Sequence, residues 1–108
     1  MIKLTITPNA SENIYSLMVK RELALRRKNQ GTLHRYGAKK KDEDKWGHNS
    51  YPGWIRFQKC LGGVMVALVQ AKDSEAEWQL LTSFIGFLHR NFSDSISNIS
   101  LTFESVEG

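Results

Sequence analysis

Four side chains in this sequence have the chemistry of metal ligands, bases or nucleophiles: His34, His48, Cys60 and His89. They are scattered along the chain without the close spacing of a metal site. No phosphate-binding glycine loop, nucleophile elbow, His-Glu-x-x-His or paired Cys-x-x-Cys accompanies them. His34 and His48 could meet Asp42 and Asp44 in a folded loop and carry acid–base chemistry. A small enzyme using His34 and His48 is therefore one reading, although the balance of residues leans away from catalysis. Cys60, beside Gly62-Gly63, reads as a small packing residue, and His89 as a residue on the rim of a buried helix face. No cofactor and no metal is expected.

A second group of residues suits binding. The stretch "YGAKKKDEDKWGHNSYPGW", residues 36–54, interleaves aromatics with lysines and has neither helical nor strand periodicity. The net charge of +4 is uneven: residues 1–50 hold 11 Lys/Arg against 5 Asp/Glu, whereas residues 51–108 hold 4 against 6. Most of the excess lies between Lys20 and Lys45, and such asymmetry can mark an anionic partner. The candidate nucleic-acid contacts are Arg26, Arg27, Lys28, Arg35, Lys39, Lys40, Lys41, Lys45 and Trp46. Tyr36, Tyr51 and Trp54 add rings on which bases can stack. The partial self-neutralisation of "KKKDEDK" weighs against this reading.

Elements to position these residues are legible in the hydrophobic pattern. Ile2, Leu4 and Ile6 alternate with polar residues, as in a half-buried strand. A helix is expected from about Ala10 to Asn29, capped by Asn9 or Ser11, with Ile14, Leu17, Met18, Ala24 and Leu25 on one face and Tyr15, Val19 and Leu23 on a narrower stripe. "WIRFQKCLGGVMVALVQA" predicts a hairpin turning at Gly62-Gly63. That turn pairs Leu61 with Val64, gives the core Ile55, Phe57, Val66 and Leu68, and puts Trp54, Arg56, Gln58, Met65, Ala67 and Val69 on the open side. Ser74 and Glu77 have capping-box spacing before a second helix. Its inward set reads as Trp78, Leu81, Phe84, Ile85, Leu88 and Phe92, widened by Leu80 and Phe87. A last strand over about residues 98–105 would turn Ile99, Leu101 and Phe103 inward.

The order β-α-β-β-α-β predicts an α+β, ferredoxin-like plait, with two helices on one face of a four-stranded antiparallel sheet in the order 4-1-3-2. Residues 1–108 form a single domain, with a basic, aromatic-containing insertion at approximately 31–52, in which "TLHRYG" could add a short edge strand. RNA-recognition motifs share this plait and hold bases on its open face. Their signature aromatics are missing from "GVMVALVQ". The leading expectation is a non-enzymatic interaction module that forms a homodimer through its open face, at Trp54, Arg56, Gln58, Met65 and Val69. Binding of RNA or single-stranded DNA through the basic segment and Trp54/Arg56 is the alternative. A single cysteine and the lack of a long apolar run predict a cytoplasmic protein with no membrane partner.

Overall fold

The computed structural model describes residues 1–10, 12–36, 44–59 and 63–104. Its elements are β1 (Ile2–Pro8), α1 (Ile14–Arg27), β2 (Leu33–Arg35), β3 (Asp44–His48), β4 (Trp54–Lys59), β5 (Met65–Gln70), α2 (Ser74–Phe92), a 3-10 turn (Ser93–Ser95) and β6 (Ile96–Phe103). The strands form one sheet in the order β2-β3-β4-β5-β1-β6, with every neighbouring pair antiparallel. This corrects the expected four-stranded sheet to a six-stranded one. The two extra strands come from the segment read as an insertion, and they cover the edge that β4 would otherwise expose. Phe57 on β4 touches the rings of Tyr15 from α1 and Phe84 from α2, so both helices pack on the same face.

The first helix is shorter than its periodicity suggests. Ala10 takes a left-handed φ of 60°, and Asn13 caps the helix by accepting from the Ser16 amide at 3.1 Å. Its buried side holds Ile14, Tyr15, Met18 and Glu22, while Leu23 is exposed. The face thus falls between the two stripes read from hydrophobicity, because Glu22, a charged residue, occupies its centre. Arg21 is exposed and donates from Nε to Asn91 Oδ1 at 2.9 Å.

The second helix is capped by Asp73, which accepts from the Ala76 amide at 2.8 Å. Glu77 does not close a capping box. Its carboxylate reaches the amino group of Met1 at 3.2 Å and accepts from the Ala71 amide. The buried side is Ala76, Leu80, Leu81, Phe84, Phe87, Leu88 and Phe92, and Trp78 is 52% exposed. Phe87 and Leu80 are therefore central and Trp78 peripheral, a rotation of the face expected from sequence.

The β4–β5 register carries the main correction. Ile55 pairs with Val69, Phe57 with Ala67 and Lys59 with Met65. A two-residue turn at Gly62-Gly63 would shift every pair by one, whereas five residues separate the paired Lys59 and Met65; residues 60–62 lie outside the described residues. A one-residue slip turns a strand over. Met65, Ala67 and Val69 are consequently core, fixed from the other side by pairing with Ile6, Leu4 and Ile2. Ala67 lies between Leu4 and Phe57, the small residue that lets two large ones pack on one level. Val66 and Leu68 take the open face instead.

The register Ile2↔Phe103, Leu4↔Leu101 and Ile6↔Ile99 sets the last strand's apolar residues on the helix side. Ile99 packs partly buried against the core, but β6 is the outermost strand and leaves Leu101 39% and Phe103 65% exposed.

These burials fix the outcome of two substitutions. Phe87→Ala should cost about 3–5 kcal/mol of unfolding free energy, whereas Trp78→Ala should cost about 1 kcal/mol or less. Denaturant midpoints at constant slope will check the order, and the reverse order would place the core of α2 elsewhere.

Candidate nucleic-acid interface

The helices cover one face of the sheet and leave the other open. Strand periodicity then decides which side chains project from it. Lys3 lies between buried Ile2 and Leu4, Trp54 and Arg56 flank buried Ile55, and Lys45 precedes buried Trp46. Lys45 pairs with Arg56, Arg56 with Leu68, and Leu68 with Lys3. Three cations thus stand in one transverse row on β3, β4 and β1. Among the described residues, the outward positions of the strands hold no Asp or Glu.

An aromatic pair stands beside this row. Tyr36 follows β2 and meets Trp54 edge-to-face, with ring centroids 5.4 Å apart. The Lys45 ammonium lies 3.8 Å from the centroid of the Trp54 ring, a cation–π contact. Tyr36 is 49% and Trp54 40% exposed, so both offer ring surface to solvent. Gly47 makes the arrangement possible. A Cβ at that position would come within 2.7 Å of the Tyr36 ring and 3.5 Å of Trp54. Tyr36 and Trp54, from the two ends of the segment, and Gly47 between them are parts of one platform.

On the opposite face, a polar tie fastens β3 to α1. The Tyr15 hydroxyl donates to Asp44 Oδ2, Arg35 donates to the same oxygen at 3.2 Å, and Trp46 Nε1 donates to the Tyr15 oxygen at 3.2 Å. Burial, and then the bond to Asp44, push the Tyr15 phenol up to about 12. Glu22, 2% exposed, is held by Arg26 through two bonds of 2.7 and 2.9 Å and by His34 Nδ1 at 3.3 Å. His48 stacks on Tyr51 at 4.5 Å and accepts from the Ser50 amide through Nδ1. Burial and then the neighbouring His34 lower its pKa below 6.5.

The residues singled out from sequence are accordingly divided. Trp54, Arg56 and Gln58 share the open face, but Met65 and Val69 lie on the buried one, 2% and 0% exposed. The apolar patch expected to drive an open-face dimer is reduced to Leu68 and the largely buried Val66. Trp46 is 1% exposed and within the core, so it has no ring face to offer a base. Arg26 and Arg35 are engaged by Glu22 and Asp44 on the helix side. Arg27 and Lys28 close α1, behind the sheet from Trp54. Lys39, Lys40, Lys41, Asp42 and Cys60 lie outside the described residues. Asp44 and Lys45, read from sequence as part of the insertion, belong to β3. His34 and His48 stand on adjacent strands, across from Gly47 and Leu33, and His34 is directed to Glu22 rather than to a nucleophile.

Sequence reasoning missed Lys3 as a member of the row, since a single lysine in an alternating strand carries no binding signal. It also missed Gly47, whose role depends on two rings brought from other strands. Among the described residues no cluster of three or more His, Cys, Asp or Glu could hold a metal ion, and no helix is long and apolar enough to cross a membrane. A groove of about 340 Å³ between the helices, lined in part by Arg21, Arg90 and Asn91, opens on the covered side, away from the platform. The sequence matches no protein family, no curated protein and no solved structure.

The Tyr15 tie has a titration signature. Its folded pKa is raised above the ordinary 10, so its contribution to stability is complete below pH 10 and is lost as pH rises through about 12. Ultraviolet titration should show a tyrosinate step near 12 that the Tyr15→Phe variant lacks. A wild-type profile indistinguishable from that variant would mean that the tie does not form.

Proposed function

We propose that this protein binds single-stranded nucleic acid across the open face of its sheet. The observation that carries the reading is the transverse row Lys45, Arg56 and Lys3 beside the exposed Tyr36–Trp54 pair. Single strands are held by cations that follow the phosphates and by aromatic rings on which bases stack, with little demand on base identity. Both requirements meet here on one face. In the bound state a base takes the place of the Lys45 ammonium over the Trp54 ring, and the lysine turns to the adjacent phosphate. Gln58 and Gln70 flank these residues and supply amide donors and acceptors to base edges.

The four strands β4, β5, β1 and β6, with their two helices, are read as a ferredoxin-like plait widened by β2 and β3. Plait sheets present bases on the face away from their helices, the side occupied by Trp54 in this reading. A protein partner on the same face is the competing interpretation. Met65 and Val69 no longer support it, and the row of three cations would then require an acidic counterpart. A cytoplasmic location, suggested by the single cysteine, is consistent with either partner.

Fluorescence anisotropy with labelled oligo-U and oligo-dT across a salt series tests the proposal. Trp54→Ala and Tyr36→Ala should each weaken binding by about 1–3 kcal/mol. Replacing Lys45, Arg56 or Lys3 by Ala should reduce the slope of log K against log salt by roughly 0.7 per residue. Gly47→Ala should mimic Tyr36→Ala, because the new methyl displaces the tyrosine ring. Saturable binding that ignores Trp54 and Tyr36, or no salt-sensitive binding at all, would refute the reading.

A further inference from the structure

Exposed sheet edges are templates for further strands, and folded proteins guard them with charge, proline, short length or a covering segment. The two edges of this sheet differ in that respect. The β2 edge is only three residues long, and the carbonyl of Arg35 already accepts from Arg26 of α1 at 3.2 Å. The β6 edge runs for eight residues, "ISNISLTF", with no charged residue and no proline, in a chain that is 24% charged. Among the described residues no strand pairs with its outer side. Its helix-side row ends in Leu101 and Phe103, the latter 65% exposed, a position where an isolated strand would carry polar residues.

We infer that β6 pairs antiparallel with β6 of a second copy of this chain, forming a two-fold dimer with one continuous sheet. The strand is complementary to itself. With the axis at Leu101, Leu101 faces Leu101, Phe103 faces Ile99, and on the open side Ser100 faces Thr102. Apolar residues thus meet apolar ones, and no like charges oppose each other across the junction, although each chain carries a net charge of +4. An unrelated peptide has no such built-in match of both rows. The two-fold pairing uses each β6 edge once, and the other edge is a three-residue strand tied to Arg26, so addition stops at two copies rather than continuing as a filament.

A two-fold axis perpendicular to the sheet keeps both pairs of helices on one side. The two open faces therefore adjoin, and under the proposed function a single strand would meet two platforms in succession. The pairing itself does not depend on that function, and its test uses no nucleic acid.

Sedimentation equilibrium should show a dimer at micromolar concentration. Leu101→Lys places two ammonium groups opposite each other at the axis and should raise the dissociation constant at least about tenfold. Leu101→Glu should do the same, and an equimolar mixture of the two variants should restore the dimer. Phe103→Glu, at a more exposed position, should also give a folded monomer, and circular dichroism will verify each fold. A monomeric wild type in the high micromolar range, a Leu101→Lys protein that stays dimeric, or a charge-swapped mixture that stays monomeric would each overturn the inference.

Discussion

The burial of Trp46 is the constraint on which the candidate site depends. Its ring lies between Tyr15 and Phe57, at centroid distances of 6.3 and 5.7 Å, and its indole N–H is satisfied by the Tyr15 hydroxyl. A tryptophan so placed fixes the phase of β3, and strand geometry does the rest. Lys45 and Gly47, on either side, must point through the sheet to the open face. There the glycine clears space for Tyr36, and the lysine meets Trp54. A slip of one residue in β3 would expose the tryptophan and move the lysine into the core. The site is thus held by hydrophobic burial on the opposite side of the sheet.

One buried carboxylate and one partly buried carboxylate reinforce that phase. Asp44, at the start of β3, accepts from Tyr15 and Arg35, and Glu22 on α1 is chelated by Arg26 beside His34. Charges taken from water at such positions are tolerated only where partners complete their hydrogen bonding. Both sets of partners join α1 to the two added strands. The same acids draw Arg26 and Arg35 to the helix side, so positive charge on the open face comes instead from Lys45, Arg56 and Lys3. Acidic and basic residues that look interspersed along the chain are thereby sorted onto different faces.

The sequence made much of this legible. The alternation in "MIKLTIT" identifies β1 and its inward row, and the placing of two helices and a central hairpin follows from periodicity and glycine alone. What stayed hidden has specific physical causes. Both rows of β5 are apolar, Met65, Ala67 and Val69 against Val66 and Leu68, so alternation could not say which faces the core. The loop length decided it, and Gly62-Gly63 suggested a shorter loop than the register allows. Glu22 was invisible as a core residue because its burial depends on Arg26 and on a histidine twelve positions later. Trp54 and Arg56 were legible as an exposed pair, whereas Trp46 was misread as a stacking surface because charge density around it resembles that of a solvated loop.

Under the proposed function, a single strand lies on the sheet face opposite the helices. The most direct measurement is amide and side-chain chemical-shift mapping during titration with a short oligo-U strand. Saturable shifts should appear at Lys3, Tyr36, Lys45, Trp54, Arg56 and Leu68, with the helix-side residues of α1 and α2 unmoved. Saturable shifts centred on Arg27 and Lys28, or on the groove near Arg21 and Arg90, would contradict it, as would the absence of any saturable shift at low salt.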